Sequence, residues 1–176
     1  SLVGSEMCIR DRLFAYEHYD IIPDIITLAK GLGNGIPVGA LLGKRNISGA
    51  FGYGSHGTTF GGNRLAMAAA LKTLEIVNDS NFLESVYHKG QYLLNCLNKA
   101  FIDHPRVTDI RGKGLMIGIE TTCNINEIVS KARTKGLIVL TAGTNVIRLL
   151  PPLTITNEQI EEGASIPVSY THLTLP

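Results

Sequence analysis

Ile25-Ile-Thr-Leu-Ala-Lys-Gly-Leu-Gly-Asn-Gly-Ile-Pro-Val-Gly39 decides how the chain is read: an apolar run stops at one lysine, Lys30, and glycines follow at 31, 33 and 35. Ile25 to Ala29 has the length, β-branching and apolar content of a buried strand. A lysine at the end of such a strand is costly to desolvate. Desolvation favours the neutral amine, and a neutral amine is a nucleophile toward carbonyl carbon. The glycines would let a bulky planar group approach the backbone. The same residues also read as a strand-end lysine whose stem is buried and whose ammonium reaches water.

Outward from this stretch, Pro37-Val-Gly-Ala-Leu-Leu-Gly43 is a second apolar run suited to a central strand. Asn46 to His56 is a glycine- and serine-rich loop. Thr58 and Thr59 precede Gly61-Gly62. Hydroxyls beside open backbone N–H groups suit a phosphate or carboxylate oxygen, and they suit a plain surface turn equally. A helix starting near Asn63 carries Leu65, Ala66, Ala69, Ala70, Leu74 and Val77 at helical spacing. On the other side, Leu13 to Asp24 is a connecting segment anchored by Phe14, Tyr16 and Tyr19. Asp20 and Asp24 flank Pro23 as turn residues, and His18 is a surface or packing residue.

Asp79-Ser-Asn81 stops the first helix, and Asn81 with Glu84 has capping-box spacing for a second. Leu83, Val86, Tyr87, Leu94, Leu97 and Phe101 form its apolar face. His88 and His104 read as solvated. After Pro105, residues 106–111 and 115–121 read as strands about Gly112-Lys-Gly114, a hairpin turn. Asn126 caps a helix with Ile128, Val129 and Ala132 inward, ended by Gly136. Residues 137–141 and 146–150 form a strand pair, and Thr156 with Gln159 opens a last helix. The order β-β-α-β-β-α predicts an α/β layer unit.

A chain of 176 residues with 44% apolar and 18% charged content is long enough for one packed domain or one and a fraction. Net charge is +1 with no block of like charge, which argues against nucleic acid or an anionic membrane surface as the main partner. No apolar run approaches the roughly 20 residues of a membrane span. Cys8, Cys96 and Cys123 have neither disulfide-framework nor metal-ligand spacing, so no metal is expected and free thiols in a reducing cytoplasm are. Both ends look foreign and resemble translated adapter sequence. Residues 1–12 show no amphipathic period, and 167–176 open with a proline that should stop the last helix. Both tails are expected to pack poorly.

Four segments together resemble class III pyridoxal-phosphate-dependent aminotransferases. Pro23 to Ala40 is similar to that family's cofactor-lysine segment, and His56-Gly-Thr-Thr-Phe-Gly-Gly-Asn63 to its phosphate-and-substrate loop. Arg111-Gly-Lys-Gly-Leu-Met-Ile-Gly-Ile-Glu120 and Val146-Ile-Arg-Leu-Leu-Pro-Pro-Leu153 resemble two C-terminal segments in the same order. The resemblance runs from about residue 13 to 166 and covers only the C-terminal part of such an enzyme. It implies an α/β fold: the end of the large-domain sheet of a fold-type I transferase plus a small C-terminal domain. Residues 13–78 would belong to the large cofactor-binding domain, 79–104 to a linking helix and 105–166 to the small, truncated domain.

The resemblance further implies pyridoxal 5′-phosphate as cofactor. Lys30 would hold it as a Schiff base and shuttle the proton, Thr59 would bind its phosphate across a homodimer interface, Thr58 would touch the substrate, and Arg148 would bind the substrate α-carboxylate. Arginine suits that last task because its fork makes two parallel hydrogen bonds. The reaction implied takes an amino group from an N2-acetylornithine-type ω-amino donor to 2-oxoglutarate, in arginine biosynthesis in the cytoplasm. Ornithine or 4-aminobutyrate as donor, or a non-catalytic domain that keeps the fold, are the competing readings. Two departures stand out. Arg64 occupies a position where the family has proline, which a helix start tolerates. The family's pyridine-nitrogen aspartate, ring-stacking aromatic and other phosphate loop lie upstream of the matched segments, so this chain alone is expected to be inactive.

Overall fold

The computed structural model describes residues 2–4 and 12–171. Cys8 and the tail residues 1, 5–11 and 172–176 lie outside them. The chain divides into two compact units, one up to Leu83 and one from Glu84.

In the first unit, β1 (Leu2–Gly4), β2 (Ile25–Leu28) and β3 (Ala40–Gly43) form a sheet in the order β1-β2-β3. β1 runs parallel to β2, and β3 antiparallel to it with Leu28 opposite Ala40. The tail expectation therefore fails at Leu2–Gly4, whose backbone pairs with Ile25–Thr27. β3 also departs from its reading as a central strand. It begins only at Ala40, has β2 as its one strand neighbour among the described residues, and is exposed along its length. The apolar helix α1 (Arg64–Val77) starts where Asn63 Oδ1 accepts the backbone N–H groups of Leu65 and Ala66 at 3.0 and 3.2 Å. Leu28, Leu32 and Ala70 are the buried centre, with Phe14, Ile26, Val38 and Leu74 packed around them. Ala66 and Val77 face inward as expected, whereas Leu65 points to solvent at 69% exposure.

Helix α2 (Ser80–Ala100) begins one residue before its predicted cap, Asn81. Asp79 Oδ1 accepts the Phe82 N–H at 2.9 Å, and Asn81 is already inside the first turn. The second unit continues with β4 (Val107–Lys113), β5 (Met116–Thr121), α3 (Ile125–Thr134), β6 (Leu140–Ala142), β7 (Val146–Leu149) and α4 (Asn157–Thr171). The sheet order is β4-β5-β7-β6, antiparallel throughout. Strict alternation along β5 and β7 buries Ile117, Ile119, Thr121, Ile147 and Leu149. Val86, Leu97, Leu115, Ile128, Ala132 and Ile160 complete the core.

Three local readings change here. Asn124, not Asn126, caps α3, accepting the Asn126 N–H at 3.1 Å. His104 is buried at 7% exposure rather than solvated: its ring meets Phe101 edge-on, and its Nδ1 accepts the Arg106 N–H at 3.3 Å. The capping box at Thr156 and Gln159 forms as predicted, with reciprocal bonds of 3.1 and 3.3 Å. Yet Pro167, which opens the C-terminal tail, does not stop the helix. It sits fully buried inside α4, which continues to Thr171. A proline ring clashes with the carbonyl four residues back. Here that residue is Gly163, which brings no side chain of its own into the crowded turn.

Candidate active site

Lys30 owes its position to the residue two places on. Leu32 is 3% exposed and belongs to the core of the first unit, so the chain leaves β2 and turns at once to bury it. The turn is a 3-10 helix, Lys30–Gly33, closed by Leu32 N–H to Ala29 O at 3.1 Å and Asn34 N–H to Gly31 O at 3.1 Å. Lys30 itself lies in the left-handed region at φ 53° and is exposed. The expected desolvation of its amine is not found: the strand ends at Leu28 and the turn swings Lys30 outward. The glycines around it serve different ends. A side chain on Gly31 would meet nothing within 4 Å, so the backbone beside Lys30 is open. At Gly33 a Cβ would stand 2.7 Å from Val38 Cγ1, so this glycine allows close packing instead.

Thr58 and Thr59 are exposed in the loop that leads into α1. Thr58 O accepts the Gly61 N–H at 3.2 Å, and Gly62 turns through φ 71° before the Asn63 cap. These two hydroxyls and Lys30 belong to the first unit, and Arg148 belongs to the second.

Arg148 lies in the middle of β7, on the sheet face opposite the core. It is half-buried, and its Nε is buried without a hydrogen-bond partner among the described residues. Its cross-strand neighbours are Gly118 on β5 and Leu140 on β6. Gly118 in turn faces Arg111 on β4. The Arg111 Nη1 donates to Asp109 Oδ2 at 2.6 Å and to Glu120 Oε2 at 2.5 Å. Asp109 and then Glu120 thereby hold the Arg111 pKa above its ordinary value. Arg111, helped by Asn145, holds the Glu120 carboxyl below the usual range. The sequence reading passed over this network. The register of the hairpin puts Asp109, Arg111, Gly118 and Glu120 on one face, and a two-residue period within each strand is the only part of this that the sequence carries.

The aminotransferase class-III family model matches residues 11–168, and the chain belongs to that family. It is 55% identical over 155 residues to the acetylornithine aminotransferase of Streptococcus mutans, covering 88% of this chain and 41% of that protein. It is 56% identical over 152 residues to the acetylornithine aminotransferase of Bacillus subtilis, covering 86% and 39%. Among solved structures, a Bacillus anthracis aminotransferase superposes with TM-score 0.83 at 38% identity, covering 92% of this chain and 41% of that one. The ornithine aminotransferase of Plasmodium yoelii gives 0.84 at 34% identity, covering 92% and 44%. The chain thus spans about two fifths of the length of the curated relatives it matches.

Proposed function

We propose that this chain is part of a pyridoxal-5′-phosphate-dependent aminotransferase that moves an amino group from N2-acetylornithine to 2-oxoglutarate in arginine biosynthesis, as a cytoplasmic homodimer. The observation that carries the reading is the buried, unpartnered Nε of Arg148 in a class-III aminotransferase chain. Leaving a buried donor unsatisfied costs about 1–3 kcal/mol, and an arriving carboxylate removes that cost.

The residues present fit the cofactor where they can be judged: an exposed amine at Lys30 beside the open backbone of Gly31, and an exposed hydroxyl at Thr59. When bound, pyridoxal phosphate supplies the electron sink for the pair released at the carbon that bears the transferred amine. Lys30 would anchor it covalently, and its freed amine would carry the proton of the amine-bearing carbon. Thr59 Oγ1 donates to the cofactor phosphate in the site of the partner protomer, and Thr58 contacts the substrate. Arg148 would grip the α-carboxylate that both substrates carry and so fix each substrate's orientation, with the far-end Cδ of N2-acetylornithine or the Cα of 2-oxoglutarate's product at the cofactor. Residues 13–78 act as part of the cofactor domain, 79–104 as the link and 105–166 as the small domain.

Ornithine as donor is the second reading, favoured by solved neighbours that are ornithine aminotransferases, with TM-scores of 0.84 and 0.85. The relatives of higher identity, 55 and 56%, are acetylornithine aminotransferases. The test is made on the complete enzyme containing this chain. Borohydride reduction in the presence of pyridoxal phosphate should fix the cofactor on the peptide bearing Lys30, and kcat/KM should be highest for N2-acetylornithine over ornithine and 4-aminobutyrate. Labelling of another lysine with Lys30 unmodified would sink the assignment.

A further inference from the structure

The register of the second sheet gathers charge around one glycine. Gly118 faces Arg111 on one side and Arg148 on the other. Glu120 shares their face two residues along β5, opposite Val146, which makes it the diagonal neighbour of Arg148. Diagonal positions lie about 7–8 Å apart, within reach of long side chains. Glu120 is therefore the acid that the register places best to capture Arg148.

It is held elsewhere. Arg111 Nη1 donates to its Oε2 at 2.5 Å, and Asn145 Nδ2 donates to its Oε1 at 3.0 Å. Arg111 is kept in that pose by Asp109 at 2.6 Å. Gly118 maintains the gap, since even a Cβ there would stand 3.1 Å from Val146 Cγ1. Arg148 Nε stays without a partner. We propose that Arg111, with Asn145, is a positioning residue for carboxylate binding: it sequesters Glu120 so that Arg148 is left for a substrate carboxylate. The inference rests on the reading of Arg148 as the carboxylate-binding group.

The test follows the Nε–Hε resonance of Arg148 in the 15N-labelled complete enzyme containing this chain, assigned by its loss in Arg148→Lys. Without ligand, Arg111→Met should move the resonance as Glu120 swings onto Arg148, and Arg111→Met/Glu120→Gln should return it. A purely structural role for Arg111 would not be reversed by removing the acid. Asn145→Ala should move the resonance in the same direction by less. It carries the test if Arg111→Met does not fold, because the Asn145 backbone carbonyl keeps its bond from the Thr121 N–H. With 2-oxoglutarate added, Arg111→Met should weaken binding about fivefold, the size of an exposed ion pair, and the double variant should recover it. A resonance unmoved by both Arg111→Met and Asn145→Ala overturns the proposal, as does a shift that Glu120→Gln fails to reverse. If the ligand-free shifts occur but 2-oxoglutarate never perturbs Arg148, the carboxylate reading of Arg148 falls and the sequestration of Glu120 stands.

Discussion

At the scale of single residues, Lys30 and Arg148 are both held at a cost to the fold. A non-glycine residue at φ 53° bears about 1–2 kcal/mol of steric strain. Lys30→Gly should therefore stabilise the chain by up to about 1 kcal/mol in denaturant unfolding, after the loss to unfolded-chain entropy. Lys30→Ala should bring no such gain, and both variants should lose covalent cofactor labelling in the complete enzyme. Strain relieved together with function lost would mark Lys30 as kept for chemistry. Arg148→Lys should leave labelling at Lys30 intact. It should lower kcat/KM by about one to two orders of magnitude for both amino donor and 2-oxoglutarate, because lysine cannot make the bidentate contact. Unchanged kinetics with both substrates would remove Arg148 from the site.

At the scale of elements, two joints position the site-bearing strands. In the first unit, Lys44 at the end of β3 donates to Asp24 Oδ1 at 2.7 Å, just ahead of β2. This hydrogen bond lowers the Asp24 pKa to about 2 from 3.8. The folded-state pKa is depressed, so the contribution to stability is present above pH 3.8 and is lost as pH falls through about 2. In Lys44→Ala, which removes the largest cause of the shift, the Asp24 carboxyl should titrate higher, toward 3.8, in an NMR pH series. In the second unit, α2 crosses the β4–β5 hairpin at Gly90. A Cβ at Gly90 would stand 2.4 Å from the Gly114 carbonyl oxygen, and neither backbone can yield locally. Gly90→Ala should cost about 2–3 kcal/mol in chemical denaturation, as overpacking does. A neutral Gly90→Ala would show that the hairpin is free to shift.

At the scale of the whole molecule, assembly is the open question that mutants can answer. If Thr59 serves the site of the partner protomer, Lys30→Ala and Thr59→Val chains should each be impaired alone in the complete enzyme. Mixed, unfolded and refolded together, they should recover about a quarter of wild-type activity, because half the dimers are hybrids with one intact site of two. No recovery on mixing would place Lys30 and Thr59 of one chain in the same site. The apolar surface of α1 and β3, with Leu41, Leu42, Leu65 and Leu71 all exposed, belongs to a chain that spans two fifths of its relatives' length.

Local chemistry by itself determined much of the second unit. The strands at 116–121 and 146–149, the Thr156–Gln159 capping box and the helix end at Gly136 are set by neighbours in sequence, and each formed as read. The lysine, the two threonines and the arginine were singled out through the resemblance to the family, and their roles are proposals. What only the tertiary structure decided depends on residues far apart in the chain. Burial of Leu32 against Ala70 turned Lys30 outward, against the burial that its apolar run suggested. Packing kept Pro167 inside α4, where local propensity would have ended the helix. Cross-strand register set Arg111, Gly118, Glu120 and Arg148 on one face, because pairing between strands is a choice among long-range partners that no local spacing encodes.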